Sequence, residues 1–415
     1  MKLHKFFLAF ITVFFIIGMF VVNMFSKDRG FSESENRVLQ SRPSFSFEKL
    51  KSGKFTKEYE KYITDQFSFR DFWVGIKSST DKLLDKKDNN GVYLGKDGYL
   101  LEKPEKIDKD NIMDNINYIN EFAKNNSKCK INFLLAPNSV KVLEEKLPQY
   151  ATPEDEEKII SEVKMGLKPK NIKFVDVYEE LKNHKNEYIY YKTDHHWTTL
   201  GAYYAYEKLG YTLGYKPLPI SDFNIEKVTD NFYGTLYSKG NYRDVNPDSI
   251  EIFKSKKQID CNVSYFDNKR TSNNIYEFNN LQKKDKYSVF LDGNHDLVTI
   301  KTNLQNLNNT SNTINNKIIK GNKKNIKKYR KKRKKILKSQ NKKEVKKLLV
   351  MKDSYAHSLV PFLTNHYDEI YMVDLRYFND NVYEYIKKND IKDILFLYNV
   401  LTFTKESTIS KLEPQ

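Results

Sequence analysis

Short apolar runs alternate with amphipathic helical stretches along much of this chain, and that alternation restricts its fold more than any other feature. "DNIMDNINYINEFAKNN" (110–126) carries its apolar residues at helical spacing, and "KINFLLAPN" (130–138) follows as a buried strand ending in a loop. "KFVDVYEELK" reads as a strand entering a helix, and "TTLGAYYAYEKLGY" as a helix. Near the C-terminus "KKLLVMKDS", "YDEIYMVDLRY" and "IKDILFLYNV" are strands, separated by the helical "YAHSLVPFLTNHY" and "DNVYEYIKKN". Strands that alternate with helices form a parallel sheet covered on both faces. Sites in such sheets lie at the carboxyl ends of the strands. The loops after Met351, Val373 and Leu397 are therefore the places to look.

The front of the chain is of another kind. Phe6–Phe25 holds twenty residues without a charge, with Thr12 and Asn23 as its main polar groups. A helix of that length spans the roughly 30 Å hydrocarbon layer of a bilayer. The apolar core is long and no A-x-A site follows, which points to an uncleaved signal anchor. Its short N-terminal tail stays inside, and the bulk of the chain lies outside the cytoplasmic membrane. The expected organisation is a tail and anchor (1–27), an extracytoplasmic lead-in (28–88) and one large domain (89–415). The lead-in holds a polar tether and then one or two helices over 55–84. The large domain opens on a hairpin around "GKDG". The segment 217–288 is mixed and gives no clear pattern.

The formal charge is +17, but it is not spread over the fold. Between Lys317 and Lys347 stand 17 Lys and Arg against the single acid Glu344, so this stretch alone carries +16 and leaves the rest near +1. With the preceding Asn-rich residues it forms a basic low-complexity insertion at about 302–347, read as a disordered or partly helical surface segment. It is either a solvated loop or a contact with anionic polymer or lipid headgroups, each lysine contributing about 1 kcal/mol near such a surface. Nucleic acid is not an expected partner for a chain held outside the cell. Two cysteines, Cys129 and Cys261, do not make a disulfide scaffold, and the sequence leaves open whether they pair. Neither GxGxxG nor GxxxxGK[ST] occurs, so no nucleotide cofactor is expected.

Two stretches carry chemistry. In "KDSYAHSLVPFL" a serine, Ser354, stands between the end of a strand and the start of a helix, where free backbone N–H groups and the helix dipole stabilise an oxyanion. Taken alone, Ser354 or Asp353 there is better explained as an N-cap. In "TDHHWT" an aspartate and a histidine two residues apart supply what a serine nucleophile needs: Asp194 orients His196, and the other ring nitrogen faces the serine. Thr198 or Thr199 caps the helix that follows, and Trp197 wedges the turn against the sheet. A metal site on Asp194, His195 and His196 is disfavoured, since adjacent histidines point apart on regular elements and no His-x-His or His-x-x-x-His spacing occurs. A histidine packed in a core turn also fits this stretch by itself.

Taken together, these stretches resemble the DHHW family, membrane-anchored relatives of the SGNH-like acetyltransferases that modify alginate and other exported polysaccharides. The resemblance also rests on "FSESENRVLQSRPSFSF", "YITDQFSFRD", "NNGVYLGKDGYLL", "LDGNHDLVTI", "VDLRYF" and "ILFLYN". It implies an SGNH-hydrolase-like three-layer α/β/α fold with a mostly parallel sheet, Ser354 as nucleophile, His196 as its base and Asp194 as the residue that orients the base. The serine follows the Asp-His pair, as in the alginate acetyltransferases, which look circularly permuted. His195 receives no catalytic role. Oxyanion or substrate contacts are expected from the Ser354 N–H and, as weaker candidates, from Gly293, Asn294, Arg376 and Asn399. Lys352 replaces the glycine of the usual GDS. The implied activity is a serine-dependent O-acetyltransferase that takes acetyl from a membrane-bound O-acyltransferase partner and passes it to a cell-surface polysaccharide, with no metal and no cofactor. A serine esterase that removes acetyl groups is one alternative, and a non-catalytic surface glycan-binding protein is another.

Overall fold

The computed structural model describes residues 2–32, 37–83, 86, 88–104, 106–149, 151–257, 259–304 and 345–414. Most of the basic insertion, with its expected polymer or lipid contact, lies outside these residues. Eight strands form one sheet: β1 Lys130–Ala136, β2 Ile172–Val175, β3 Cys261–Tyr265, β4 Arg270–Ser272, β5 Leu297–Thr302, β6 Lys347–Lys352, β7 Glu369–Val373 and β8 Asp393–Asn399. Their spatial order is β4-β3-β5-β7-β6-β8-β1-β2. The five strands from β7 to β2 are parallel to their neighbours. In β1 and β8 adjacent residues such as Leu134 and Leu135, or Leu395 and Phe396, are all buried. Adjacent residues point to opposite faces, so both faces are covered and the apolar runs need not alternate.

Two of the eight strands were not legible. β5, β3 and β4 extend the β7 edge through antiparallel pairs. "HDLVTI" is the strand β5, but β3 and β4 come from the segment without a pattern. A long hairpin, Phe223–Phe232 against Asp248–Ser255, comes from the same segment and forms a separate two-stranded sheet. Cys129 and Cys261 are both buried free thiols, so no disulfide joins them.

Seven helices matter here: α1 Lys2–Phe25, α2 Lys54–Asp65, α3 Arg70–Leu83, α4 Lys109–Asn125, α5 Thr199–Leu213, α6 Ala356–Leu363 and α7 Val400–Lys405. α1 contains the apolar span Phe6–Phe25, which is long and apolar enough to cross a membrane and packs nothing of its central window into the protein interior. In the lead-in the short helix Phe47–Lys51 precedes α2 and α3, which are joined near Gln66, whose side chain bonds back to Arg29 and Gln40. α4 and α7 cover one sheet face: Phe122 of α4 and Phe403 of α7 meet Phe396 and Phe133 edge-on. Asn115 of α4 donates to the carbonyls of Phe403 and Glu406, which fixes α7 at the carboxyl end of β8. α5 and α6 pack on each other through Tyr203, Tyr206 and Phe362. These packings bring the turn before α5 to the turn before α6, at the carboxyl end of the parallel strands.

Candidate active site

The turn Thr193–Thr198 is held open by bonds that leave the ring nitrogens of His196 to side chains. Thr198 is the N-cap of α5, its hydroxyl accepting from Gly201 N–H at 3.3 Å, and Thr199 is already helical. Trp197 is fully buried, and its Nε1 lies 3.0 Å from both the Tyr355 carbonyl and Ser358 Oγ. The indole therefore ties the turn to α6. On the other side, Asp353 takes the role of local acceptor after β6: it accepts from the N–H of Tyr355 at 2.9 Å and of Asn399 at 2.7 Å. That frees the Ser354 side chain from capping duty.

His196 Nε2 faces Ser354 Oγ at 2.7 Å, and His196 Nδ1 faces Asp194 Oδ1 at 2.5 Å. The two halves of this line are 158 residues apart in sequence. Asp194 is buried with four contacts to its oxygens: Oδ1 also accepts His196 N–H at 3.0 Å, and Oδ2 accepts Thr235 N–H at 2.8 Å and its hydroxyl at 3.0 Å. Burial alone would raise the Asp194 carboxyl. The charges of His196 and His195, with the donated hydrogen bonds, outweigh it and hold the group below the ordinary carboxylate value. Burial, reinforced by the neighbouring His195, pushes His196 down to about 4 against the pull of Asp194. At neutral pH the pair is thus an ionised carboxylate beside a neutral imidazole, which can accept a proton from a hydroxyl. Tyr287 stacks on the His196 ring with centroids 3.9 Å apart, and its hydroxyl lies 3.3 Å from the Ser354 carbonyl. The Ser354 N–H has no hydrogen bond to another described residue and stands at the N-terminal side of α6.

A model of the DHHW protein family matches residues 93–328, which is more than half of the chain. The chain belongs to the DHHW family. The matched residues contain Asp194, His195 and His196 and stop short of Ser354. Among solved structures this DHHW protein is similar to a DHHW family protein from Eubacterium siraeum, at 24% identity over 79% of this chain and 96% of that one, with a TM-score of 0.59. It is also similar to Bacillus cereus PatB1, solved with a sulfonyl adduct, at 20% identity over 77% and 97% of the two chains, with a TM-score of 0.58. The O-acetyltransferase domain of Pseudomonas putida AlgJ overlaps more loosely, at 14% identity over 78% and 96% of the two chains, with a TM-score of 0.44. No curated protein sequence matches the chain.

The weaker candidates of this DHHW protein are elsewhere engaged, and no hydrogen bond joins any of the four to Ser354 among the described residues. Gly293 sits at φ 82° in a tight turn, where its N–H donates to Phe290. Arg376 grips Asp374 with Nε at 2.8 Å and Nη2 at 2.6 Å. Asn294 Oδ1 lies 3.5 Å from both Arg376 Nη2 and Lys352 Nζ. Asn399 is buried, caps α7 with its side-chain oxygen and gives its amide to Asn138 and to the Ala136 carbonyl. Lys352 is also buried, 2.8 Å from His357 Nε2 and 3.1 Å from Asp374; burial lowers its pKa, opposed by that carboxylate. The ligand atoms of Asp194, His195 and His196 lie within 4.8 Å of one another. The two histidine rings do not point apart, as regular geometry would have them, but lie 3.9 Å from each other, because the turn is irregular. Both ring nitrogens of His196 and both oxygens of Asp194 are already hydrogen-bonded, so an ion there would displace at least one of these bonds.

Sequence reasoning missed Thr235, Tyr287 and Gly234, all within or at the edge of the segment without a pattern. Gly234 leaves a visible reason for its identity. A Cβ there would stand 2.2 Å from Asp194 Cβ and 2.5 Å from its Oδ2. Its φ of −81° is open to any residue, so the constraint is space, not backbone strain. Gly234→Ala is expected to displace Asp194 and lower ester turnover by about 100-fold or more, since a misplacement near 1 Å costs that much. Turnover within a factor of two of the parent would show that the Asp194 turn yields without consequence.

Proposed function

We propose that this protein is a membrane-anchored, serine-dependent O-acyltransferase that delivers acetyl to a cell-surface polysaccharide. The observation that carries the reading is the hydrogen-bonded line from Asp194 through His196 to Ser354 at the end of β6. Family membership and the apolar helix α1 are consistent with it. Ser354 Oγ attacks the acyl carbonyl while His196 Nε2 takes its proton, and the same proton goes to the departing group. Charge on the carbonyl oxygen is met by the Ser354 N–H at the start of α6. Asp194 holds the His196 Nδ1 proton and stabilises the imidazolium that forms in each half-reaction. A membrane-bound donor protein supplies the acetyl group.

Because burial lowers His196, its basic form persists below the ordinary histidine range. Acylation by an activated ester is expected to hold its rate as pH falls through 6.5, and to decline towards about 4 as His196 gains a proton. A pH profile of kcat/KM checks this, and an acid limb above 6.5 would contradict it. Transfer itself is tested by giving the acetylated protein a saccharide acceptor in water. Acetyl-saccharide as product supports the transferase, whereas acetate alone at every acceptor concentration identifies an esterase.

A further inference from the structure

A cleft of about 400 Å³ lies beside the Asp194–His196 pair, with His195 and Thr235 in its lining. That size falls in the roughly 300–1,000 Å³ range of small-ligand sites. Its walls come from the short helix Thr235–Gly240 on one side and from α7 on the other, with Leu236 and Leu401 as apolar surface. Its charges balance. Lys239 pairs with Glu102 at 2.9 Å, and Lys405 and Glu406 supply one charge of each sign. An apolar strip with balanced polar walls suits a sugar ring better than a polyanion.

His195 links the cleft to the site with its ring tautomer set by its neighbours. The Thr235 hydroxyl donates to Asp194 Oδ2, so towards His195 Nδ1, 2.7 Å away, the Thr235 oxygen can only accept. In the neutral ring the proton therefore sits on Nδ1 of His195, and the lone pair is on Nε2. Nε2 has no hydrogen bond to another described residue, and the side chain is 28% exposed where it lines the cleft. The imidazole is thus set as an acceptor for a hydroxyl, one ring away from His196.

We propose that this cleft is the acceptor subsite for an uncharged, hydroxyl-rich saccharide, and that His195 Nε2 accepts a hydrogen bond from a hydroxyl next to the one that reacts. The proposal rests on the acyl-transfer reading for its chemistry. The reacting sugar oxygen forms a bond to the acyl carbon, the bond from that carbon to Ser354 Oγ breaks, and the sugar proton passes to His196 Nε2 and on to Ser354 Oγ. His195 holds the ring and moves no proton, so it is a positioning residue.

Two readouts on the full-length chain test this. The first is the partition of acetyl-Ser354 between cellotetraose and water, which is independent of how fast the acyl-enzyme forms. His195→Phe keeps an aromatic ring against His196 but removes the acceptor, and Thr402→Trp fills the cleft from α7. Each is expected to lower the partition ratio about tenfold or more, the value of one hydrogen bond or of lost access, with tetragalacturonate a poorer acceptor than cellotetraose in the parent. An unchanged ratio in both variants, or a preference for tetragalacturonate, would overturn the subsite. The second is calorimetric binding of cellotetraose to the Ser354→Ala protein, expected to disappear on adding Thr402→Trp. Binding that Thr402→Trp blocks, together with a parent protein that never forms acetyl-Ser354, would uphold the cleft and sink the acyl-transfer reading; binding that Thr402→Trp leaves intact would sink the cleft.

Discussion

Ser354→Ala is expected to abolish covalent acylation and to lower ester turnover by at least about 10⁴-fold, as loss of a serine nucleophile does in triad enzymes. The same loss is expected for His196→Ala, because a serine without its base is a poor nucleophile at neutral pH. The double variant falls no further than either single one, since the two groups act as one unit. Ser354 is partly exposed and caps no helix, so the alanine variant keeps the parent's melting temperature. Steady-state turnover of an activated acetyl ester, with thermal melts of each variant, checks the set. Independent and additive losses would mean that His196 and Ser354 do not share a proton.

Asp194→Asn brings the second large effect, and the geometry explains why neither amide orientation escapes it. With its NH2 towards Thr235, the amide meets two donors, the Thr235 N–H and hydroxyl, in place of the carboxylate oxygen that accepts both. With its NH2 towards His196, it forces the ring proton onto Nε2, where it blocks uptake of the Ser354 proton. The first orientation costs stability and the second costs the base. Turnover is expected to fall by about 10³- to 10⁴-fold, with a lower melting temperature as well. A variant that keeps a tenth of the parent's rate would leave Asp194 no more than a structural acceptor.

The parts of this site that could be read from the sequence are those whose chemistry is written in neighbouring residues. Asp194 and His196 stand two apart, so one turn suffices to join them. Ser354 follows an unbroken apolar strand, and its place between strand and helix is visible at that spot alone. The parallel half of the sheet was legible for the same local reason, since β6, β7 and β8 are continuous apolar runs. Contacts made through irregular backbone left no such trace. Thr235 and Gly234 reach Asp194 from the connection between the two strands of the long hairpin, where a short helix begins, and nothing in "NFYGTLYSKG" marks them. Tyr287 comes from a 3-10 turn with no periodicity to reveal which way its ring faces. The close approach of the His195 and His196 rings ran against expectation, because it requires a turn that is neither helix nor strand. Arg376 and Asn294 carry suitable side chains at the expected sheet end, but Asp374 and Lys352 engage them, and sequence spacing does not disclose such partners.

The most direct test of the central claim is the intact mass of the full-length protein after exposure to an activated acetyl ester, with the label mapped by peptide. The account predicts one added acetyl, on Ser354, that is absent from Ser354→Ala and His196→Ala. A folded protein that gains no acetyl, or gains it on another residue with Ser354 bare, would contradict it.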